Sequence, residues 1–301
     1  MPPSVVVLRP SAKINLTLRV GLMRPDGFHE VRTVLQSIAL ADVVSLSPRG
    51  GRFGLTVRGA GVPEGRENLV WRAAEHLWHA MGRAGDPRDV FVKLDKQIPP
   101  AAGLGGGSAD AAAVLLGLSQ IWGSRLSRHD LRSVAADIGS DVPFFLQGGT
   151  ALGTSRGEEI YPLDDVRRLG VVLIKPSFGV STADAYRWHD EPPALVPRPA
   201  DGAEPAQSRQ VDLGWSTGPI ALINDLEGPV AARHPEIAAM VQACLREGAI
   251  GAAMTGSGSA VFGLFPEPAA RRAVERLRRP DWLVLLTRTL SRSEAAKRLG
   301  V

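Results

Sequence analysis

The stretch Pro99-Pro100-Ala101-Ala102-Gly103-Leu104-Gly105-Gly106-Gly107-Ser108-Ala109-Asp110-Ala111 constrains this chain more than any other. Its glycines crowd into a short loop, and the alanine-rich run Ala111-Ala112-Ala113-Val114-Leu115-Leu116 follows at once. Glycine lets a backbone take positive φ and approach a ligand closely. Alanine and leucine are strong helix formers. A glycine loop that opens a helix aims free N–H groups, and the positive end of the helix dipole, at one point, which makes a phosphate site. The loop is not a P-loop, because no lysine follows Gly107. Nor is it a dinucleotide fingerprint, because its third glycine falls one place early. The plainer alternative is a flexible turn before a core helix, with Ser108 as a capping-type residue.

At 301 residues the chain exceeds what one compact core usually holds, so two domains are expected. Hydrophobic residues at 44% and charged residues at 22% fit an ordinary globular protein. No apolar run has the length of a membrane span, and Met1 to Pro10 lacks a basic start and a cleavage pattern, so neither a membrane partner nor a signal peptide is expected. Cys244 is the single cysteine, which rules out an intrachain disulfide and fits a cytoplasmic enzyme. It sits on the apolar face Met240-Val241-Gln242-Ala243-Cys244-Leu245 and reads as core, not as a nucleophile. The net charge of +4 suits either a phosphorylated small ligand or nucleic acid. The arginine-rich run from Ala269 to Arg279 reads as a solvated helix face, so no nucleic-acid partner is expected. Oligomeric state is not legible.

Strands come first. Val5-Val6-Val7-Leu8 reads as a buried strand, and Lys13 to Val20 alternates like a half-buried one. Arg24-Pro25-Asp26-Gly27 is a turn, since proline presets φ and glycine accepts the left-handed position. Further strands are expected at Val31 to Ile38, Asp42 to Leu46, Phe53 to Val57 and Val90 to Leu94. Helices are expected from Asn68 to Met81, from Ala109 to Trp122 with Gly123 as the stop, and from Ser127 to Ile138 with Ser127 as cap. The later half reads as a strand at Val171 to Ile174 and helices at Thr182 to Trp188, near Ile220 to Leu226, and at Ile237 to Arg246. The proline-dense stretch from Glu191 to Asp212 reads as a mobile surface loop. Strands followed by helices, with one strand-loop-helix at the centre, indicate α+β.

Three more segments carry chemistry. Lys13, in Pro10-Ser11-Ala12-Lys13-Ile14-Asn15-Leu16, is either functional or a snorkelling surface lysine. Asp141, in Gly139-Ser140-Asp141-Val142-Pro143-Phe144-Phe145, is either a paired carboxylate or the N-cap of a short turn. Gly256-Ser257-Gly258-Ser259 either lines a ligand or forms a tight hairpin turn. In this order and at these separations, the Lys13 segment, the central glycine loop and Thr255-Gly256-Ser257-Gly258-Ser259 resemble the three motifs of the GHMP kinases. The resemblance runs from about Pro10 to about Phe265. The segments Arg24-Pro25-Asp26-Gly27-Phe28-His29-Glu30 and Gly139 to Phe145 resemble those of one branch, whose members phosphorylate a cytidine diphospho sugar alcohol.

The resemblance implies a two-domain α+β fold, residues 1–160 and 161–301, with its active site between the lobes, ATP and Mg2+ as cofactors, and a small-molecule alcohol as acceptor. It places the ATP phosphates on Pro99, Pro100, Ala101, Ala102, Gly103, Leu104, Gly105, Gly106, Gly107, Ser108 and Ala109, with Ser108 touching a phosphate or the metal. Ala101-Ala102 stands where some members have two glycines, which stiffens the start of the loop. Asp141 would accept the hydroxyl proton and Lys13 would stabilise developing charge; phosphoryl transfer asks mainly for positioning and charge neutralisation. The metal ligands are not identified, and Asp110 is expected to face away from the phosphates. At the cytidine end, His29 would bond the base while Phe28 and Tyr186 sandwich it, and Asn15, Thr182, Gly256 and Ser257 would contact the rest of the substrate. Asn68 would contact adenine, or simply cap a helix. The alternatives are a family member with a homoserine- or mevalonate-type alcohol, or a non-catalytic nucleotide-binding protein on the same scaffold.

Overall fold

The computed structural model describes residues 5–59, 61–191, 210–215 and 218–301. The first half runs β1 (Val6–Leu8), β2 (Ser11–Met23), β3 (His29–Ala41), β4 (Val43–Arg52), β5 (Gly54–Arg58), α1 (Leu69–Ala80), β6 (Arg88–Asp95), α2 (Gly106–Trp122), α3 (Arg128–Ile138), α4 (Val142–Gln147), β7 (Thr150–Thr154) and β8 (Glu159–Pro162). The second runs β9 (Gly170–Pro176), α5 (Thr182–Asp190), β10 (Gln210–Val211), β11 (Ile220–Ala221), β12 (Ile223–Asn224), α6 (Glu227–Arg233), α7 (Glu236–Arg246), β13 (Gly251–Met254), β14 (Val261–Phe265), α8 (Glu267–Leu277), β15 (Trp282–Arg288) and α9 (Arg292–Arg298). This is the expected α+β architecture. The stretch expected as a mobile loop lies largely outside the described residues.

Helix α2 is the axle of the first half. Ala109, Ala111, Ala112, Ala113, Val114 and Leu115 are all fully buried, as expected of a helix that is apolar all round. Helix α1 packs on it, and the sheet ordered β1-β4-β6-β5 closes the core. Helix α3 begins with the anticipated Ser127, whose hydroxyl accepts from Asp130 N while the Asp130 carboxylate accepts from Ser127 N.

The second half builds on the antiparallel order β13-β14-β9-β15. In α8, Ala270, Ala273, Val274 and Leu277 face inward while Arg271, Arg272 and Arg276 face solvent, the arrangement read from the sequence. Cys244 is core as expected: burial pushes its thiol up to about 12, and its Sγ would lie 3.1 Å from a Cβ placed on Gly263.

Four expectations need correction. Val5 to Leu8 is not a buried strand: β1 lies at the edge of its sheet beside β4, and Val5 and Val7 are 54% and 55% exposed. Ile220 to Leu226 is not helical: β11 and β12 occupy it, and β12 pairs in parallel with β2 across the two halves, Ile223 opposite Thr17 and Asn224 opposite Leu18. An open edge of β2 supplies a ladder, and the buried Asn224 spends its amide outside any helix, donating to the carbonyls of Met254 and Gly256 at 2.8 Å each. Strand β2 is half-buried only beyond Leu16. Ser11 to Leu16 is covered on both faces, because Ala12, Ile14 and Leu16 enter the core while Lys13 and Asn15 line a cavity between the halves. Finally, α2 starts at Gly106 and not at Ala109, so Ser108 lies inside its first turn. The N-cap is Gly105 at φ +69°, a left-handed conformation that glycine adopts without strain.

Candidate active site

One cavity of about 980 Å³ lies between the halves and reaches the glycine loop, Lys13, Asp141, Phe28, His29, Tyr186 and Ser257. The glycine loop enters it through α2. Ala109 N donates to Gly105 O at 2.9 Å, the first turn of the helical ladder. The N–H groups of Gly106, Gly107 and Ser108 precede that bond and have no partner within the helix. Two glycines are dictated by packing. A Cβ on Gly103 would stand 2.0 Å from the Thr255 carbonyl oxygen, and one on Gly105 would stand 2.7 Å from the Phe145 ring. Gly107 differs: it is exposed, and beyond its own helix a Cβ there would meet Leu69 Cδ1 at an ordinary 3.6 Å. Ala101 takes φ +50°, a left-handed conformation that costs a non-glycine residue about 1 kcal/mol.

Lys13 is not a surface lysine. It is 3% exposed, its Nζ donates to Asn15 Oδ1 at 2.7 Å, and Asp141 Oδ2 lies 3.6 Å away. Asp141 does not cap α4 with its side chain, which leaves the carboxylate turned toward that ammonium. Asn15 holds the pair in place. Its Nδ2 donates to Thr33 Oγ1 at 2.8 Å, and its backbone N donates to Thr255 Oγ1 at 3.1 Å. Thr255 thereby ties β2 to the loop between β13 and β14. That loop is a hairpin connection, and it also reaches the cavity: a Cβ on Gly256 would lie 3.3 Å from Lys13 Nζ. Ser257 Oγ meets Thr182 Oγ1, at the start of α5, at 3.2 Å.

At the other end, Phe28 is half exposed with the Arg156 guanidinium 5.3 Å above its ring. The neighbouring His29 is 9% exposed and stacks on Tyr186 with centroids 5.3 Å apart. Burial, aided by the charge of Asp141, raises the Tyr186 phenol to about 12, so it stays a neutral aromatic. Asn68 caps α1, accepting from Val70 N at 2.9 Å, and its Nδ2 donates to Pro63 O at 2.7 Å, while the residue still lines the cavity.

The description "GHMP kinases N terminal domain" matches residues 68–149, and "GHMP kinases C terminal" matches residues 212–280. The 4-diphosphocytidyl-2-C-methyl-D-erythritol kinase of Pelotomaculum thermopropionicum is 46% identical over 95% of this chain and 99% of its own length. The enzyme of the same name from Moorella thermoacetica is 44% identical over 95% of this chain and 99% of its own. The chain belongs to the GHMP kinase family. A crystal structure of 4-(cytidine 5'-diphospho)-2C-methyl-D-erythritol kinase superposes on this GHMP kinase with a TM-score of 0.73 and 35% identity, covering 94% of this chain and 99% of the other. A homoserine kinase from Cytophaga hutchinsonii shares the fold with a TM-score of 0.68 at 18% identity, over 96% of this chain and 95% of its own. The protein is therefore a small-molecule phosphotransferase of the GHMP kinase fold, and as a kinase it uses ATP.

This GHMP kinase carries a group beside its glycine loop that the sequence reading missed. Lys96 Nζ lies 2.7 Å from Asp110 Oδ2 and 2.5 Å from Asp42 Oδ2. Asp42 Oδ1 accepts the N–H groups of Gln97 and Ile98, which anchors the approach to Pro99. Asp110 is buried against Lys96. Burial pushes its carboxyl well above the usual carboxylate range, and its Oδ1 has no hydrogen-bond partner. Burial works against the Lys96 ammonium, but the charges of Asp110 and Asp42 outweigh it and raise its pKa. Sequence spacing gave no hint that Asp42 joins this group, because the contact spans 54 positions. Arg156 and Asp190 were missed for the same reason, and Thr255, although part of the third motif, was given no role of its own: each acts through a partner distant in sequence.

Proposed function

We propose that this GHMP kinase transfers the γ-phosphoryl group of ATP to the 2-hydroxyl of 4-diphosphocytidyl-2-C-methyl-D-erythritol, in the cytoplasm, at a site between halves divided near residue 160. The observation that carries the chemistry is the 3.6 Å approach of Lys13 to Asp141 inside the cavity that also receives the first turn of α2. The N–H groups of Gly106, Gly107 and Ser108 hold the phosphate tail. Asp141 takes the proton of the attacking hydroxyl, and the hydroxyl oxygen bonds to the γ-phosphorus as the bond to the β-phosphate bridging oxygen breaks. ADP leaves. Lys13, fixed by Asn15, faces the negative charge that develops on the transferred group.

The residues present fit a magnesium ion held chiefly by the nucleotide. Among the described residues no three His, Cys, Asp or Glu side chains cluster as a metal cage, but the Asp141 carboxylate and Ser108 line the same cavity. Such an ion supplies charge neutralisation at the phosphates. The choice of acceptor rests on the relatives' name and on the aromatic end of the cavity, where Phe28, His29 and Tyr186 suit a flat base. A homoserine- or mevalonate-type alcohol has no ring to engage them. ADP release, measured by a coupled assay against the cytidine diphospho alcohol, homoserine and mevalonate, tests the reading. Turnover of the cytidine compound alone is expected, and preference for either small alcohol would refute it.

A further inference from the structure

A second groove, of about 860 Å³, lies between the halves and shares no residue with the catalytic cavity. Arg9 lines it from the first half, Arg168, Arg271 and Arg288 from the second, and Arg298 from α9. Among the described residues, these five arginines share the groove wall with one carboxylate, Glu267. That carboxylate is already engaged, since Arg168 Nε donates to its Oε1 at 2.7 Å. Arg288 is neutralised from outside the wall, its Nη2 lying 2.9 Å from Glu294 Oε1. Arg9, Arg271 and Arg298 make no ion pair among the described residues. Arg298 is nonetheless fixed in place. Its Nη1 donates to the Ala39 carbonyl at 2.8 Å, and its own carbonyl accepts from Arg9 N at 2.9 Å. Burial, and then the charges of Arg288 and Arg9, lower the Arg298 pKa against the opposite pull of Glu294. An arginine stays charged all the same. The fold thus gathers like charges in one groove and supplies no protein anion for three of them, a repulsion that a bound anion would relieve.

We propose that this groove is a second anion site, and that its ligand is a small molecule bearing a diphosphate. A guanidinium presents a planar fork of N–H donors that matches phosphate oxygens two at a time. A single phosphate carries about −1.5 to −2 near neutral pH and would leave a guanidinium unmatched, whereas a diphosphate carries about −3 and meets all three unpaired ones. Arg9 and Arg271 are exposed and free to fold onto the ligand, while the partly buried Arg298 sets its place. A groove of this volume is in the range of small-molecule sites, with room for an organic body beside the phosphates.

The test is isothermal titration of the full chain with inorganic diphosphate, ADP and citrate in magnesium-free buffer. Wild type is compared with Arg9→Ala/Arg271→Ala, Arg9→Lys/Arg271→Lys and Arg271→Glu, with thermal melting to verify folding. Losing a charged hydrogen-bond donor is worth about 10- to 100-fold in affinity, so diphosphate binding in the groove should weaken at least about 10-fold in the alanine pair and in Arg271→Glu. The lysine pair should keep part of the affinity. Kinase kcat/KM should stay within about threefold of wild type, because none of these residues lines the catalytic cavity. Arg271 is exposed on α8, so Arg271→Glu reads the site even where the double variant folds poorly. Binding that persists in every variant belongs to the glycine loop. Variant-sensitive binding of ADP as well as diphosphate identifies the ligand as a nucleotide, and of diphosphate without ADP as a non-nucleotide. Diphosphate isotherms that coincide for wild type and the folded variants overturn the proposal. So does citrate bound as tightly, and with the same sensitivity to the variants, as diphosphate.

Discussion

An alanine at position 107 adds one methyl group where the folded protein has room for it. Outside its own helix, the nearest atom to that methyl is Leu69 Cδ1 at 3.6 Å, and the backbone is helical, so neither a clash nor a left-handed conformation opposes the change. Glycine inside a helix is less stable than alanine by about 0.5–1 kcal/mol, and the first turn recovers at most that much. For a chain of this size the melting temperature should rise by roughly 1–2 °C. Nucleotide binding should move the other way. A helical Cβ tilts toward the helix N-terminus, which is where the phosphate tail is proposed to lie. Displacing the tail weakens the bonds from the N–H groups of Gly107 and its neighbours. A hydrogen bond to a charged group contributes about 1.5–3 kcal/mol, so the KM for ATP should rise about 10- to 100-fold. Differential scanning fluorimetry and ATP titrations of Gly107→Ala read both quantities. Gly103→Ala is the contrast: its methyl would stand 2.0 Å from the Thr255 carbonyl oxygen, and the variant should be poorly folded. An unchanged KM for ATP in a well-folded Gly107→Ala protein would refute the placement of phosphate at this turn.

Asp141→Asn should lower kcat by about 100-fold or more while ATP still binds, since a positioned base contributes about 10²–10⁴-fold; kcat within tenfold of wild type would remove Asp141 from the proton transfer. Thr255→Val should destabilise the protein by about 1–3 kcal/mol, because Asn15 N–H loses its buried acceptor, and urea melts measure that cost. Glu294 is held down to about 2, first by its hydrogen bond from Arg288 and then by its place in the cap of α9. Its folded pKa lies below the ordinary 4.5, so its contribution to stability is present above pH 4.5 and is lost as the pH falls toward 2. Solvent screens this exposed pair to under about 1 kcal/mol. Glu294→Gln should therefore flatten that part of the pH–stability curve, and an unaltered curve would contradict the assignment.

Local signals in the chain were enough for the helix that follows the glycine loop, the capping box at Ser127, the stop at Gly123 and the core position of Cys244. Each depends on neighbours within a few residues. The α+β class and the family also follow from linear motifs, because the segments around Lys13, Gly105 and Gly256 keep their order along the chain. Whether Lys13 was a surface residue, and whether Asp141 was only a cap, was a different kind of question. Both answers came from packing that buries the Lys13 ammonium beside Asn15 and turns the Asp141 carboxylate toward it. The pairing of β12 with β2, the burial of Asp42 and Asp110 around Lys96, and the approach of Asp190 to His29 across 161 positions were equally out of reach. A sequence determines conformational preference over a turn of helix or a hairpin. Which polar groups meet depends on how two separately patterned halves close on each other, and that is decided only when their apolar faces are buried together.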